Sequence, residues 1–426
     1  MRKRVFGRKS HLNNEVKIKT EFSAVWDYVV SDIRDTLKSA GYQNRAFDFS
    51  YDSAIFNADI LNELNVSDKK SLLTLKYRSK NNIILGSPGA LSILKSIIDN
   101  GLEYKDEPLK LFDYGISLVD DDNDMSTTPK QLHVFKAECV GEINPVRDAE
   151  LMLTGYRMLE EQGFDNLIIN INGLGGVVSK ENYYLELLSK TPARYKDLAN
   201  SLSHNPIQLY NQLLDLDLNV NLRLPQIVDY LSDEETKYFK ATLEFLETLD
   251  IEYNLDTTLA GSIGFNEGVY FEIVHQDNPD KVLIRGGRHN RLFKLLGGDT
   301  KAGAVGMEIY IDSILDLIQK LNLNHNINEI KPDIFVASIG LEGQKSALKI
   351  LSLIQKNGLE VKESFEIKSL RQQLLKAKKS NADITLIVGR KEAVDGTVIL
   401  RDKSSENQEI IPIDKLVSIL SKKISK

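Results

Sequence analysis

Between Thr20 and Gly41 apolar residues recur every three or four positions, at Phe22, Val25, Trp26, Val29, Val30, Ile33 and Leu37. That spacing predicts an amphipathic helix with an N-cap and a glycine stop. The period falls to two at 47–51, which reads as a strand, and 71–77 with 82–85 reads as a hairpin of short strands. A Gly86–Ala90 turn leads into a helix over 91–98. Segments 109–114 and 131–140 form an expected antiparallel pair around the acidic connection 120–124, followed by a helix over 148–161 and an apolar strand over 167–171. From 180 to 250 the pattern is helical: Ser232-Asp233-Glu234-Glu235 is a capping box, and Phe239, Leu243, Leu246 and Leu249 line one face. Strands are expected at 269–274, 282–284 and 307–311, the last two flanking the glycine-dense turns Gly286-Gly287, Gly297-Gly298 and Gly303/Gly306. Glycine lets a main chain or a ligand come close, so this stretch is a candidate pocket wall or else a tight packing between two strands.

Beyond Lys331-Pro332 the pattern becomes a separate α/β unit. Strands are expected at 333–338, from 360, at 384–388 and at 397–401, with helices over 342–356, 369–379 and from 413. The helix over 369–379 is basic. Lys368, Arg371, Lys376, Lys378 and Lys379 are candidate contacts for RNA phosphates, or else a solvated face.

With 426 residues, 42% of them hydrophobic, the chain can bury large cores in two or three domains. A net charge of −7 argues against a general nucleic-acid coat, yet residues 331–426 hold 18 Lys/Arg against 12 Asp/Glu. A single cysteine, Cys139, excludes an intramolecular disulfide and a thiolate zinc cluster, and a cytoplasmic setting is expected. The basic head at 1–20 precedes no apolar signal core, and no membrane partner is expected. Neither His-x-x-x-His nor Gly-x-Ser-x-Gly occurs, which leaves zinc-hydrolase and serine-hydrolase readings without support, and no metal site is assigned.

Gly286-Gly287-Arg288-His289-Asn290-Arg291-Leu292 resembles the third signature of class II aminoacyl-tRNA synthetases, most closely the histidyl enzymes, which have Gly-Gly-Arg-Tyr-Asp-Gly-Leu. Asp148-Ala149-Glu150, Ile171-Asn172-Gly173-Leu174-Gly175 and Phe271-Glu272 follow the same family. The positions that carry its chemistry differ. The family's Arg-Pro-Glu-Gly-Thr turn, whose Glu and Thr hold the histidine α-amino group, keeps only Gly89; Ser87 and Pro88 precede it and Ala90 follows. Asp113 stands where an arginine grips the α-phosphate, Ala260 replaces the histidine-specific arginine, and Ser313 replaces the arginine that ends the third signature. Gly264 and Phe265 occupy the places of two tyrosines, and Val134 that of a pocket glutamine. By the same resemblance Gln131 and Glu138 are possible ligand contacts, Glu138 aligning with a pocket glutamate, as are Gly286, Gly287, Arg288 and His289, the last in the place of a pocket tyrosine.

The end of the chain is similar to the anticodon-binding domain of the histidyl, glycyl, threonyl and prolyl enzymes, through Ser369–Leu374, Ala382-Asp383, Val388-Gly389, Gly396-Thr397-Val398 and Ile411-Pro412. The expected fold class is therefore α/β: an α+β class II synthetase-like domain over 21–330, with an antiparallel sheet flanked by helices and a helical insertion at about 180–250, then an anticodon-binding-like domain over 331–426. The resemblance implies a homodimer. It also implies a paralogue without adenylate chemistry or catalytic residues, acting in binding or regulation with tRNA, another RNA or a partner enzyme. Two alternatives stay open: a divergent histidine–tRNA ligase using ATP and Mg²⁺, with Arg285, Arg288 or Arg291 supplying the phosphate clamp, and a regulatory subunit paired with an ATP phosphoribosyltransferase catalytic subunit in histidine biosynthesis. No cofactor is assigned outside the ligase alternative.

Overall fold

A computed structural model describes residues 23–46, 50–55, 60, 73–77, 81–85, 90–102, 107–119, 130–203, 205–216, 224–259, 265–323, 332–403 and 408–424. Expectations for Ser87, Pro88, Gly89, Ala260, Gly264, the basic head and the acidic run 120–124 fall outside those residues. The chain divides into two units, Met1–His325 and Asn326–Lys426.

In the first unit the described elements run in the order α1 (Ser23–Ser39), β1 (Gln43–Asn44), β2 (Ser50–Asp52), β3 (Leu73–Tyr77), β4 (Asn81–Leu85), α2 (Leu91–Asp99), β5 (Leu109–Val119), β6 (Lys130–Glu142), α3 (Pro145–Glu161) and β7 (Leu167–Gly175). Next come α4 (Val177–Lys190), α5 (Lys196–Ser201), α6 (Pro206–Leu216), α7 (Asp233–Thr248), β8 (Tyr253–Leu255), β9 (Glu267–His275), β10 (Asn278–Arg288), α8 (Asn290–Leu295), β11 (Ala302–Tyr310) and α9 (Ile311–Lys320). Eight strands form one sheet in the order β1-β5-β6-β11-β10-β9-β7-β8. All its pairings are antiparallel except β1 with β5 and β7 with β8.

Alternation along these strands sends one set of side chains into a helix-covered core. Phe135 and Ala137 on β6, Met307 and Ile309 on β11, and Phe271 and Ile273 on β9 pack with Val29, Ile33 and Leu37 of α1, Met152 and Met158 of α3, and Ile314 and Leu317 of α9. Completely burying each of the larger of these side chains contributes about 1.5–3 kcal/mol, which is what holds these helices to the sheet. Cys139 lies in this core, and burial pushes its thiol up to about 11, so it stays protonated.

Several boundaries differ from the sequence reading. α3 starts at Pro145 rather than near Asp148, because Asn144 caps it by accepting from the Val146 N–H at 3.1 Å and Pro145 needs no donor partner in the first turn. β11 starts at Ala302, and Ile311 opens α9 instead of extending the strand. The capping box of α7 is complete, Ser232 and Glu235 each bonding the other's backbone N–H.

The second unit has β12 (Ile334–Ser338), α10 (Gly340–Lys356), β13 (Val361–Glu363), α11 (Leu370–Lys379), β14 (Ile384–Val388), α12 (Arg390–Asp395), β15 (Thr397–Asp402), β16 (Gln408–Pro412) and α13 (Leu416–Ile424). Its strand order is β13-β12-β14-β15-β16, parallel across the first three and antiparallel beyond. The sequence reading missed α12 and β16. α11 is fixed by the buried Gln373, whose amide accepts from Ser338 N and donates to Ser338 O, both at 2.8 Å, and donates to Ile367 O at 2.6 Å.

Candidate functional site

The other face of the large sheet carries polar groups, and strand register arranges them in rows. Asp113 on β5 lies opposite Lys136 on β6, Lys136 opposite Glu308 on β11, Glu308 opposite Arg285 on β10, and Arg285 opposite Glu272 on β9. Charges therefore alternate in sign across five neighbouring strands. Glu308 Oε2 accepts from Arg285 Nε at 3.0 Å, from Arg285 Nη2 at 2.8 Å and from the Tyr310 hydroxyl at 2.6 Å, and the guanidinium lies 5.3 Å from the Tyr310 ring centre. Burial pushes the Glu308 carboxyl up, but Arg285 and Lys136 outweigh it and the net shift is downward. Burial lowers Lys136 despite the carboxylates around it, and raises Asp113 and Glu272.

One row along, Leu111, Glu138, Gly306, Gly287 and Tyr270 face one another. Glu138 is buried, and its Oε2 lies 2.7 Å from Nε2 of the equally buried His289. The carboxylate rests on bare backbone: a Cβ at Gly306 would come within 2.2 Å of Glu138 Oε1. Gly286 is similarly required, since its Cβ would meet Gly306 O at 2.5 Å. Around this pair lies a cavity of about 50 Å³, lined among others by Ala90, Phe265, Tyr270, Arg285, Leu292 and Glu308. It has room for a few water molecules.

The cavity thus brings together Glu138, Gly286, Gly287 and His289 with the altered positions Ala90 and Phe265. Asp113 sits at the outer end of the charged row, separated from Arg285 by Lys136 and Glu308. Gln131 is exposed on β6, 3.4 Å from His133 Nε2, and does not line the cavity. Ser313 is in the first turn of α9; its neighbour Asp312 accepts from the His133 N–H at 2.7 Å.

Arg288 points to the helix-covered side. Its Nε donates to Asp148 Oδ2 at 3.0 Å and its Nη2 to Asn144 O at 3.1 Å, while the Tyr238 hydroxyl donates to the same Asp148 oxygen at 2.6 Å. Arg288 is 3% exposed and Asp148 1%. These two residues join the glycine-arginine and Asp-Ala-Glu stretches in a structural ion pair. Arg288 also borders a cavity of about 260 Å³ lined by Leu231, Phe239, Val269 and glycine backbone.

On the second unit, Lys368, Arg371, Lys376, Lys378 and Lys379 are all exposed. Of these, Lys378 borders a cleft of about 180 Å³ between α11 and the strands β14 and β15, with Thr385, Arg401 and Lys403 on its other sides. Asp402 on the same strand is engaged by Lys423 at 3.5 Å, and among the described residues no carboxylate pairs with Arg401. Sequence reasoning missed Arg401 and Lys403. Their signal was two cations two positions apart at the end of a strand that alternates buried and half-buried positions.

Residues 333–423 match the family model described as an anticodon binding domain. Over nearly its whole length the chain is 25% identical to the histidine–tRNA ligase of Caldicellulosiruptor bescii, across 411 residues that cover 95% of this chain and 97% of the relative. It is 24% identical to that of Staphylococcus haemolyticus across 413 residues, 95% and 96% of the two chains. Among solved structures, apo histidyl-tRNA synthetase of Staphylococcus aureus matches with a TM-score of 0.72 and 21% identity, covering 95% of this chain and 98% of that one. A Bacillus halodurans protein described as an ATP phosphoribosyltransferase regulatory subunit/histidyl-tRNA synthetase matches with a TM-score of 0.60 and 14% identity, covering 90% and 99%. Among the described residues no helix is long and apolar enough to cross a membrane, and no group of three or more His, Cys, Asp or Glu is placed to hold a metal ion.

Proposed function

We propose that this histidyl-tRNA synthetase-like chain does not form an aminoacyl adenylate and acts by holding RNA through its anticodon-binding unit. The charged row on the sheet face is the observation that carries this reading. Adenylate formation concentrates negative charge on a phosphoryl group, and catalysis depends on cations aimed at it. Here Arg285 is committed to Glu308 and Arg288 to Asp148, Arg291 does not line the cavity, and Asp113 adds a carboxylate at the outer end of the row. Each missing donor of this kind lowers turnover by roughly 10²–10³.

RNA is the partner that the second unit's chemistry favours. Arg401, Lys378 and Lys403 surround a cleft in which Thr385 is the neighbouring hydroxyl residue, a donor set suited to phosphate. A homodimer and a cytoplasmic setting belong to the same reading by resemblance. ATP and Mg²⁺ enter only if the chain is a divergent ligase, and the carboxylates of the charged row fit a triphosphate poorly. A second reading, regulation of an ATP phosphoribosyltransferase catalytic subunit, draws on the Bacillus halodurans likeness, which is one of fold.

Histidine-dependent ATP–pyrophosphate exchange beside an intact synthetase tests the first half, with no exchange above background expected. Exchange near the control rate overturns it. For the second half, tRNA binding followed by anisotropy should weaken in Arg401→Ala and in Lys378→Ala. The slope of log affinity against log salt should fall by about one unit for each phosphate that is no longer neutralised. Unchanged binding and slope would remove the cleft from the RNA surface.

A further inference from the structure

We propose that His289 is an internal ligand, its imidazole filling a site on Glu138 that would otherwise accept a free imidazole. A buried carboxylate needs a hydrogen-bonding partner. The partner provided for Glu138 is the His289 ring at 2.7 Å, both side chains being less than a tenth exposed. Neither group is free to drift. The carboxylate lies against Gly306, where no side chain fits, and the His289 backbone is held between β10 and α8 with its N–H donating to Ala304 O at 3.0 Å.

The walls around the pair suit a flat aromatic ring, with Phe265 and Leu292 beside the glycine backbone of Gly286, Gly287 and Gly306. With the ring in place about 50 Å³ remains. Shortening residue 289 removes the ring and leaves a cavity with a carboxylate at its end, and a cavity emptied of its own side chain takes molecules of the same shape. An imidazole is the class of ligand that restores both the shape and the hydrogen bond. In the unaltered chain residue 289 therefore occupies the hydrogen-bonding position on Glu138 that a free imidazole would need. The internal-ligand role rests on the proposed absence of adenylation only for its biological meaning.

The test is thermal unfolding of His289→Ala, with imidazole or 4-methylimidazole titrated in the millimolar range. The variant should melt lower than the parent, and imidazole should raise its midpoint in a saturable way while leaving the parent's unchanged. The double variant His289→Ala/Glu138→Gln should lose that rescue. A folded His289→Ala that ignores imidazole, or a parent that responds equally, overturns the proposal. If His289→Ala does not fold, ring-nitrogen spectra of the ¹⁵N-histidine-labelled parent decide: the buried, carboxylate-bonded ring must stay unshifted when free imidazole or histidine is added. A shift of that ring sinks the idea. Neither outcome alters the exchange result, so the two readings fail separately.

Discussion

Replacing Arg288 with alanine is expected to destabilise the first unit by about 3–5 kcal/mol, the usual consequence of removing one partner of a buried ion pair. Asp148 would be left in the core, where burial already pushes its carboxyl up against the opposing pull of Arg288 and Tyr238. Among the described residues its Oδ1 has no hydrogen-bond partner, so the Tyr238 hydroxyl on Oδ2 would be the remaining donor there. The guanidinium also satisfies Asn144 O, next to the start of α3, so the loss extends to the entry of that helix. Denaturant unfolding of Arg288→Ala, Asp148→Asn and the double variant measures this. The double variant should be less impaired than the sum of the singles, since it leaves no uncompensated charge. A loss under about 1 kcal/mol for Arg288→Ala would instead resemble a solvated surface pair and contradict the burial argument.

The second large effect is expected from Glu308→Gln. That carboxylate stands between Lys136 and Arg285 and also accepts from Tyr310, so neutralising it leaves two cations flanking an uncharged residue. Because the Arg285 side chain is 33% exposed, water screens part of the loss, and about 2–4 kcal/mol is expected rather than the full cost of a buried pair. The pH dependence has a definite sign. A carboxyl held below its ordinary value contributes stability that is present above the unfolded-state value and disappears as pH falls through the depressed one. Glu308→Gln should therefore flatten the acid side of the stability profile while lowering its plateau. An unchanged acid limb would mean that Glu308 is not the titrating member of the row.

Much of the architecture was legible in the chain, because period-two and period-3.6 patterns depend only on near neighbours. The capping box at Ser232–Glu235 and the basic helix after Ser369 are local signals of this kind. The charged row was not legible. Its members at 113, 136, 272, 285 and 308 come together through register, and β6 pairs with β11 across most of the unit. Nothing in the spacing of 136 and 308 indicates that pairing. Arg288 shows the opposite difficulty: it stood in a glycine-rich stretch that invites a ligand reading, while its partner, Asp148, lay 140 positions earlier. His289 was visible as a polar residue in a pocket-like stretch, but its partner Glu138 was fixed only by the fold.

Glu235 does more than cap α7. Its carboxylate also receives the Gly176 N–H, 59 positions earlier, and the Ser179 hydroxyl, which ties the place where the chain leaves β7 to the place where α7 begins. This side chain brackets the base of the stretch that holds α4 to α6, whose Tyr183, Leu187, Ile207 and Leu209 also pack with Leu174 and Tyr270 of the sheet. Such a segment can lengthen or shorten over evolutionary time at little cost to the sheet, since each doubling of a tethered loop costs only about 0.6 kcal/mol. This clasp leaves the helical insertion open to variation in size while its two ends stay together.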